Sequence, residues 1–537
     1  MTAEPQLSIT ARIVKAFLTS KLPLIFILIS LLSGFAALYA TPREEEPQIV
    51  VPMADIFIQF PGASAEEVEN LVTINLEKKL WEIDGVEYVY SASRPGGAVV
   101  TVRFYVGEDR ENSLIKLYNK VWSNIDQVPP GVTGWVIKPV EIDDVPIVTV
   151  TLYSDRASDL ELRRVADEIL HRLQSIPDTG RSYVVGGRPR ELRVLLDPVR
   201  LAFHRVSALE VLQALRGANV NLAAGSFNVA DRELLLEAGP FLRTAGDLSG
   251  LQVGQYQGRP VYLRDVAQVL DGPGEVTLYT RHGFGPGAAH TAQLRHEPLN
   301  QPGVSYQAVT IAVAKRKGTN AVWVASGLLQ KIAELQQTII PGDIKVLVTR
   351  NYGETANHKV NELVNHLIVA IVSIIALLTV ALGWREALVV ALAVPMTLAM
   401  TLLGNYLVGF TINRVTLFAL ILSLGLLVDD PIVDVENIHR HYKLRREPPL
   451  PATITAVDEV RPPTILATFT VIVSFLPLFF VTGMMGPYMA PMPFNVPLAM
   501  LMSLVVAFTV TPWAAYHLLR REAEIPAEPF DLHESAL

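Results

Sequence analysis

Apolar positions along this chain follow two regimes. Residues 22–40, LPLIFILISLLSGFAALYA, are apolar without a period, and similar runs return at 363–382, 387–407, 415–438, 463–481 and 496–516. Each is about the length needed to cross a hydrocarbon core roughly 30 Å thick at a helical rise of about 1.5 Å per residue. Between 41 and 352 no segment is long and apolar enough to do so, and short alternating runs interleave with helical ones. MADIFIQF (53–60) reads as a strand, and Ser64 with Glu67 three residues on forms a capping box that opens a helix. VEYVYSA (86–92) and GAVVTVRFYV (97–106) are strand-like, a helix is predicted near 111–128, and TGWVIKP (133–139) completes a βαββαβ order. The order then repeats. PIVTVTLYS (146–154), a helix capped by Ser158 and Glu161, and RSYVVGG (181–187) form one βαβ; its partner is YQAVTIAVAK (306–315), a helix over 319–338 and DIKVLVT (343–349). Between 187 and 303 lies an insertion with strands of its own, among them RELRVLLD and RPVYLRDVAQVL.

The flanks of the apolar runs orient them. The first follows Arg12, Lys15 and Lys21; it is longer than the roughly 7–15 apolar residues of a signal peptide and lacks an A-x-A cleavage pattern, so it reads as an uncleaved membrane helix. Arg385 follows the second run; His439, Arg440, Lys443, Arg445, Arg446 and Arg461 cluster after the fourth, and Arg520 and Arg521 follow the sixth. The loop after the fifth, TGMMGPYMAPMPFN, has no charge, and the loop after the third has only Arg414. By the excess of basic residues on the cytoplasmic side, both termini are inside and 41–352 is outside.

Composition agrees with a mixed membrane and aqueous chain: 537 residues, 50% hydrophobic and 18% charged, with mean hydropathy +0.32. A net charge of −8 argues against a nucleic-acid partner. With no cysteine there is no disulfide framework, thiolate metal site or thiol nucleophile, and no GxxxxGK[ST] loop offers ATP as a power source.

The chemistry concentrates in GLLVDDPIVDVENIHRH, 425–441. Asp429 and Asp430 lie side by side in the fourth run, where a charged side chain costs about 2.5–3.5 kcal/mol on insertion scales. Two like charges a few ångströms apart do not both ionise cheaply, so the pair is expected to hold a proton near neutrality and to titrate as a unit. Helical spacing places Asp430, Asp434 and Asn437 on one stripe and Asp429 and Glu436 near a second. Asp434, Glu436 and Asn437 make a candidate proton exit, roughly 16 Å long from Asp430 to His441. Pro431 cannot donate to the carbonyl of Leu427, so a kink is predicted beside the pair.

These residues carry a resemblance. FPGASAEEVE, the twin modules with an insertion, and the aspartate motif resemble the resistance-nodulation-division (RND) transporters nearly end to end. The resemblance implies an α+β membrane protein: six transmembrane helices plus a large periplasmic porter region of two βαββαβ modules, the second carrying an inserted docking-type subdomain. The expected divisions are 1–40 (cytoplasmic N-terminus and first span), 41–140 (first module), 141–186 and 304–352 (the two parts of the second module), 187–303 (docking-type subdomain), 353–519 (spans two to six) and 520–537 (cytoplasmic tail). It also implies proton-driven export of small molecules across the bacterial inner membrane, with Asp429 and Asp430 as proton relay, the proton gradient in place of a cofactor, a trimeric assembly, and a periplasmic adaptor and outer-membrane channel as partners.

Two departures stand out. Family members usually carry two six-helix halves, and this chain ends soon after the sixth run, so it reads as the N-terminal half only. The other half is expected to supply a lysine opposite the aspartates. No Lys or Arg lies within the six runs, so either a second subunit brings the countercharge, a complementary C-terminal half or another half-chain, or the carboxylates sit protonated or hydrated. Secondly, Tyr183, Val184 and Val185 stand where aromatic residues often line the family's drug pocket, and the substrate-binding residues are unknown. Three alternatives are weaker. Met484, Met485, Met489 and Met492 hint at a heavy-metal exporter but read as gap-filling apolar residues, and His282, His290 and His296 lack metal-site spacing. A non-transporting regulatory half-subunit is another reading. An intramembrane aspartyl protease needs two acids facing each other from separate helices, unlike these neighbours.

Overall fold

The computed structural model describes residues 9–239, 241–290 and 301–524. In the first aqueous module Met53–Gln59 is flanked by the antiparallel strands Gly97–Phe104 and Gly134–Val140, and Val86–Arg94 pairs outside Gly97–Phe104. Alternation puts Ala54, Ile56 and Ile58 on one face. The helices ending at Trp81 and Ser123 cover it with Val72, Leu80 and Leu117. The Ser64–Glu67 capping box that starts the first helix is formed from both sides.

The second sheet is built around Ser305–Lys315. Val148–Ser154 pairs along one side of it and in turn with Lys345–Asn351; Thr179–Val185 and the short strand Arg281–Gly283 share its other side. Helices Asp159–Leu173 and Ala321–Thr338 bury Leu162, Ile169, Leu328 and Ile332 against it. Between the halves of this sheet, among the described residues, stand three separate two-stranded ribbons and a small core of Val211, Val253, Leu263 and Val266. Arg281–Gly283 falls inside the stretch read from sequence as insertion, yet it extends the second sheet.

The chain leaves the sheet through Gly186 and Gly187, both at positive φ; a Cβ on Gly187 would stand 2.8 Å from the Asp159 carbonyl. Arg188 then forks onto the Asp159 carboxylate, Nε to Oδ2 at 2.6 Å and Nη2 to Oδ1 at 2.9 Å. The guanidinium holds this carboxyl below its usual range, against a smaller opposing effect of burial. A depressed folded value means that the pair's stabilisation is complete above the ordinary Asp value of about 3.9 and is lost as pH falls through the lowered one. Asp159→Asn is therefore expected to lower stability at neutral pH by about 0.5–1 kcal/mol and to remove this part of the acid sensitivity. Thermal unfolding of both proteins across the acid range checks it.

Among the described residues, six helices are long and apolar enough to cross a membrane: Leu22–Ala40, Tyr352–Ala381, Trp384–Val408, Arg414–Leu444, Pro449–Phe480 and Met485–Arg521. The third, fourth and sixth are 56%, 61% and 67% buried over their apolar windows, against 22%, 6% and 11% for the first, second and fifth, so the former make the centre of the bundle. Three of these helices start ten or more residues before the apolar runs read from sequence, at Tyr352, Pro449 and Met485, and the last two contain prolines. Pro462 and Pro463 lie inside Pro449–Phe475, and Pro497 and Pro512 inside Pro491–Glu524. Prolines are tolerated there because neighbouring helices and Ser or Thr hydroxyls can satisfy freed carbonyls in a bundle. A further helix, Ile9–Leu18, was not foreseen; Ala11, Val14 and Leu18 pack with Ala452, Ala456, Ala515 and Leu519.

Candidate functional site

The fourth span consists of Arg414–Leu427 and Asp429–Leu444, joined at Val428. The interruption follows from Pro431, which has no N–H to offer the carbonyl of Leu427. Ser503 of the sixth helix takes that place, its Oγ donating to Leu427 O at 2.8 Å. A buried carbonyl left unpaired costs about 1–3 kcal/mol. Ser503→Ala is therefore expected to destabilise the bundle within that range and Ser503→Thr much less, measured as the thermal midpoint in detergent.

At this junction the two aspartates part company. Asp430 faces the bundle and is 4% exposed; the Thr468 hydroxyl lies 3.5 Å from Oδ1, Ser503 stands beside it, and Oδ2 has no hydrogen-bond partner. Asp429 is exposed on the outside of the chain. One turn on, Asp434 is fully buried and neither of its oxygens has a hydrogen-bond partner. Asn437, also buried, donates to Ala456 O at 2.7 Å and Glu459 Oε2 at 3.3 Å, and accepts from Arg440 Nε at 2.9 Å. Glu459 also receives Arg440 Nη2 at 2.8 Å and bonds His441 Nε2 at 2.9 Å. Asp430, Asp434 and Asn437 thus form one inward stripe ending in an ionic cluster, while Glu436, like Asp429, faces outward.

Among the described residues, no Lys, Arg or His pairs with Asp429, Asp430 or Asp434. Sequence reasoning had no means of naming Thr468, Ser503 or Glu459 as neighbours, because hydroxyls are common in apolar helices and Glu459 lies outside the fifth run as read. It also missed the pairing of buried Glu386, in the first turn of the third span, with His439.

The other candidates scatter. No group of three or more His, Cys, Asp or Glu able to hold a metal occurs among the described residues. Met484 and Met485 are exposed, and Met492 packs with Val415, Ala419 and Val496. His282 sits against Tyr153 and Phe284, and this burial lowers its basicity; His296 lies outside the described residues.

A twin-sheet aqueous region and an aspartate-bearing central helix set the ground for comparison with known proteins. Residues 13–532 match the AcrB/AcrD/AcrF family. The chain belongs to that family. The multidrug resistance protein MdtC of Pectobacterium atrosepticum is 27% identical over 490 residues, 91% of this chain and 45% of the relative. MdtC of Pantoea ananatis is 28% identical over 495 residues, 92% of this chain and 46% of the relative. The chain therefore spans a little under half the length of these curated relatives. That family belongs to the RND class, whose members sit in the inner membrane and carry a periplasmic porter region.

Proposed function

We propose that this chain is a proton-driven exporter of small molecules working as one half of an RND unit, with Asp429 and Asp430 as its proton relay. The observation that carries the reading is the inward stripe. Asp430 and Asp434 are buried in the centre of an apolar bundle, three of their four carboxylate oxygens have no hydrogen-bond partner, and no cation of the described chain reaches them. A carboxyl in that position is held at least cost with a proton on it, and binding or losing that proton changes how the helices pack. Asp434 hands the proton on toward Asn437 and the Glu459 cluster, and Pro431 is the hinge. Glu436 faces outward with Asp429.

Asp429, being exposed, is available to a lysine from a complementary half; self-association of half-chains is the other arrangement. The basic clusters favour both termini in the cytoplasm. The ribbon of Leu222–Val229 and Arg232–Ala238 supports assembly of full units into a trimer: Phe227, Leu235 and Leu236 are 51%, 77% and 51% exposed. A lone hairpin of this kind is marginal in water, and a neighbouring copy would cover it. The periplasmic adaptor and outer-membrane channel belong to the same reading. It gains support from the relatives, which are named for multidrug resistance.

The test is reconstitution of the purified chain in liposomes, alone and with a complementary half carrying a lysine in its own fourth helix, while proton flux is followed. Flux only with that half, and lost on removing its lysine, is the expected result. Flux from the chain alone assigns the function to self-associated halves, and flux in neither sample sinks the proposal.

A further inference from the structure

The acidic stretch that leaves the first span, TPREEEP, does more than keep the chain in water. Its backbone is stitched to the loop that opens the aspartate-bearing helix. Glu44 N donates to Ile412 O at 3.1 Å, Ile412 N to Pro42 O at 2.9 Å and Arg414 N to Glu45 O at 3.4 Å. Asn413 in that loop caps the helix, accepting from the amides of Val415 and Thr416 at 3.0 Å each. Arg414 pairs with Glu46 outside.

Of the three adjacent glutamates, only Glu44 turns inward. It is 5% exposed; its Oε1 meets Lys315, 8% exposed, at 2.7 Å and accepts from Gln48 at 2.8 Å, and its Oε2 takes the Thr411 hydroxyl at 3.4 Å. Lys315 is the last residue of the central strand of the second sheet, and its ammonium also lies 3.6 Å from Asp143 in the link between the two sheets. The same segment receives Ala321 N on Arg43 O at 3.2 Å, where helix Ala321–Thr338 begins, and sends Arg43 to Asn357 of the second span at 3.3 Å.

We propose that Glu44 and Lys315 are positioning residues of the transport cycle, the gear through which the aspartate-bearing helix moves the second porter sheet. The proposal rests on the proton-relay reading. Replacing a buried ion pair by apolar groups of similar volume is often neutral or stabilising, so stability alone gives little reason for one here. What the pair does supply is a fixed side-chain link from the loop that opens the aspartate-bearing helix to the end of the central strand, beside the direct run of strand Lys345–Asn351 into the second span. A displacement of the fourth span carries Thr411–Arg414 with it, that loop carries Glu44 through main-chain bonds, and Glu44 carries the end of the central strand through Lys315.

The chain has no cysteine, so single labels can be placed without background. An environment-sensitive fluorophore at Val433→Cys reports the relay helix, and one at Gln337→Cys reports the porter, each in the full chain in nanodiscs. On acidification both labels are expected to respond in otherwise unaltered protein and neither in Asp430→Asn. In Glu44→Met with Lys315→Met, which keeps the thermal midpoint, the relay label is expected to respond and the porter label to fall silent. Lys315→Arg alone, with Glu44 kept as its partner, is expected to retain the porter response. A porter response that survives in the double-Met protein, or is missing from the unaltered one, overturns the gear. A relay label that still responds in Asp430→Asn overturns the relay reading instead.

Discussion

Asp430→Asn is expected to reduce the proposed proton-driven export to the level of empty liposomes, while the protein still inserts, purifies and melts close to the unaltered chain. The asymmetry follows from position. Asparagine keeps the shape of the acid and its contact with Thr468, and it places no charge in the bundle. A neutral amide in place of a buried acid therefore costs little in stability, on the order of 1 kcal/mol or less. It cannot take up or release a proton in the working range. Asp434→Asn, fully buried one turn on, is expected to behave in the same way if the stripe is the path. Glu436→Gln, on the exposed side, should leave export within about twofold, an effect of under 0.5 kcal/mol. Dye export driven by an imposed pH gradient, measured beside gradient collapse, separates these outcomes; export by Asp430→Asn at the unaltered rate ends the relay hypothesis.

The aspartates were legible because their cost is local: two acids in an apolar run need no structure to stand out. That the two point to different faces was also legible, since adjacent helical residues point about 100° apart; which of them turns into the bundle was not. What faces them was not. Thr468 and Ser503 lie 38 and 73 residues from Asp430 along the chain, and hydroxyls at such positions have no sequence pattern that aims them. The carbonyl freed by Pro431 could be foreseen from the missing N–H; that Ser503 fills its place depends on how two helices cross.

In the aqueous region the strands and capping boxes were legible from alternation and from Ser–Glu spacing, both short-range signals. The Glu44–Lys315 gear was not, since it joins residues 271 apart. Nothing in EEE tells which glutamate turns inward, and a lysine at a strand end reads as a solvated terminus. The early starts of the two proline-bearing helices, the fifth and sixth spans, were hidden for a related reason. Proline is a strong breaker in water and a weak one where a packed bundle re-satisfies the carbonyls, and the sequence alone does not reveal which environment applies.

Gly34→Leu should have one of the largest effects on the stability of the membrane bundle. Gly34 of the first span meets Ala399 of the third so closely that a Cβ on it would stand 2.3 Å from the Ala399 Cβ and 2.6 Å from its Cα. Small residues at helix crossings let backbones approach in lipid, where packing has to replace the hydrophobic drive. Overpacking costs about 1–3 kcal/mol where side chains can yield. Here the obstacle is backbone and the first carbon of a side chain, so the two helices have to separate. Gly34→Ala is expected to lower the melting temperature in detergent, Gly34→Leu to prevent purification of a folded bundle, and Ala399→Gly to recover part of the Ala defect by removing the nearer atom. The consequence for transport is specific. The first span ends at Ala40 and runs directly into the segment that holds Glu44, so parting the first and third helices shifts the gear from its membrane side. Gly34→Ala should then weaken the porter response at Gln337 before it weakens the relay response at Val433. Equal loss of both would mean that the glycine serves only to hold the bundle together.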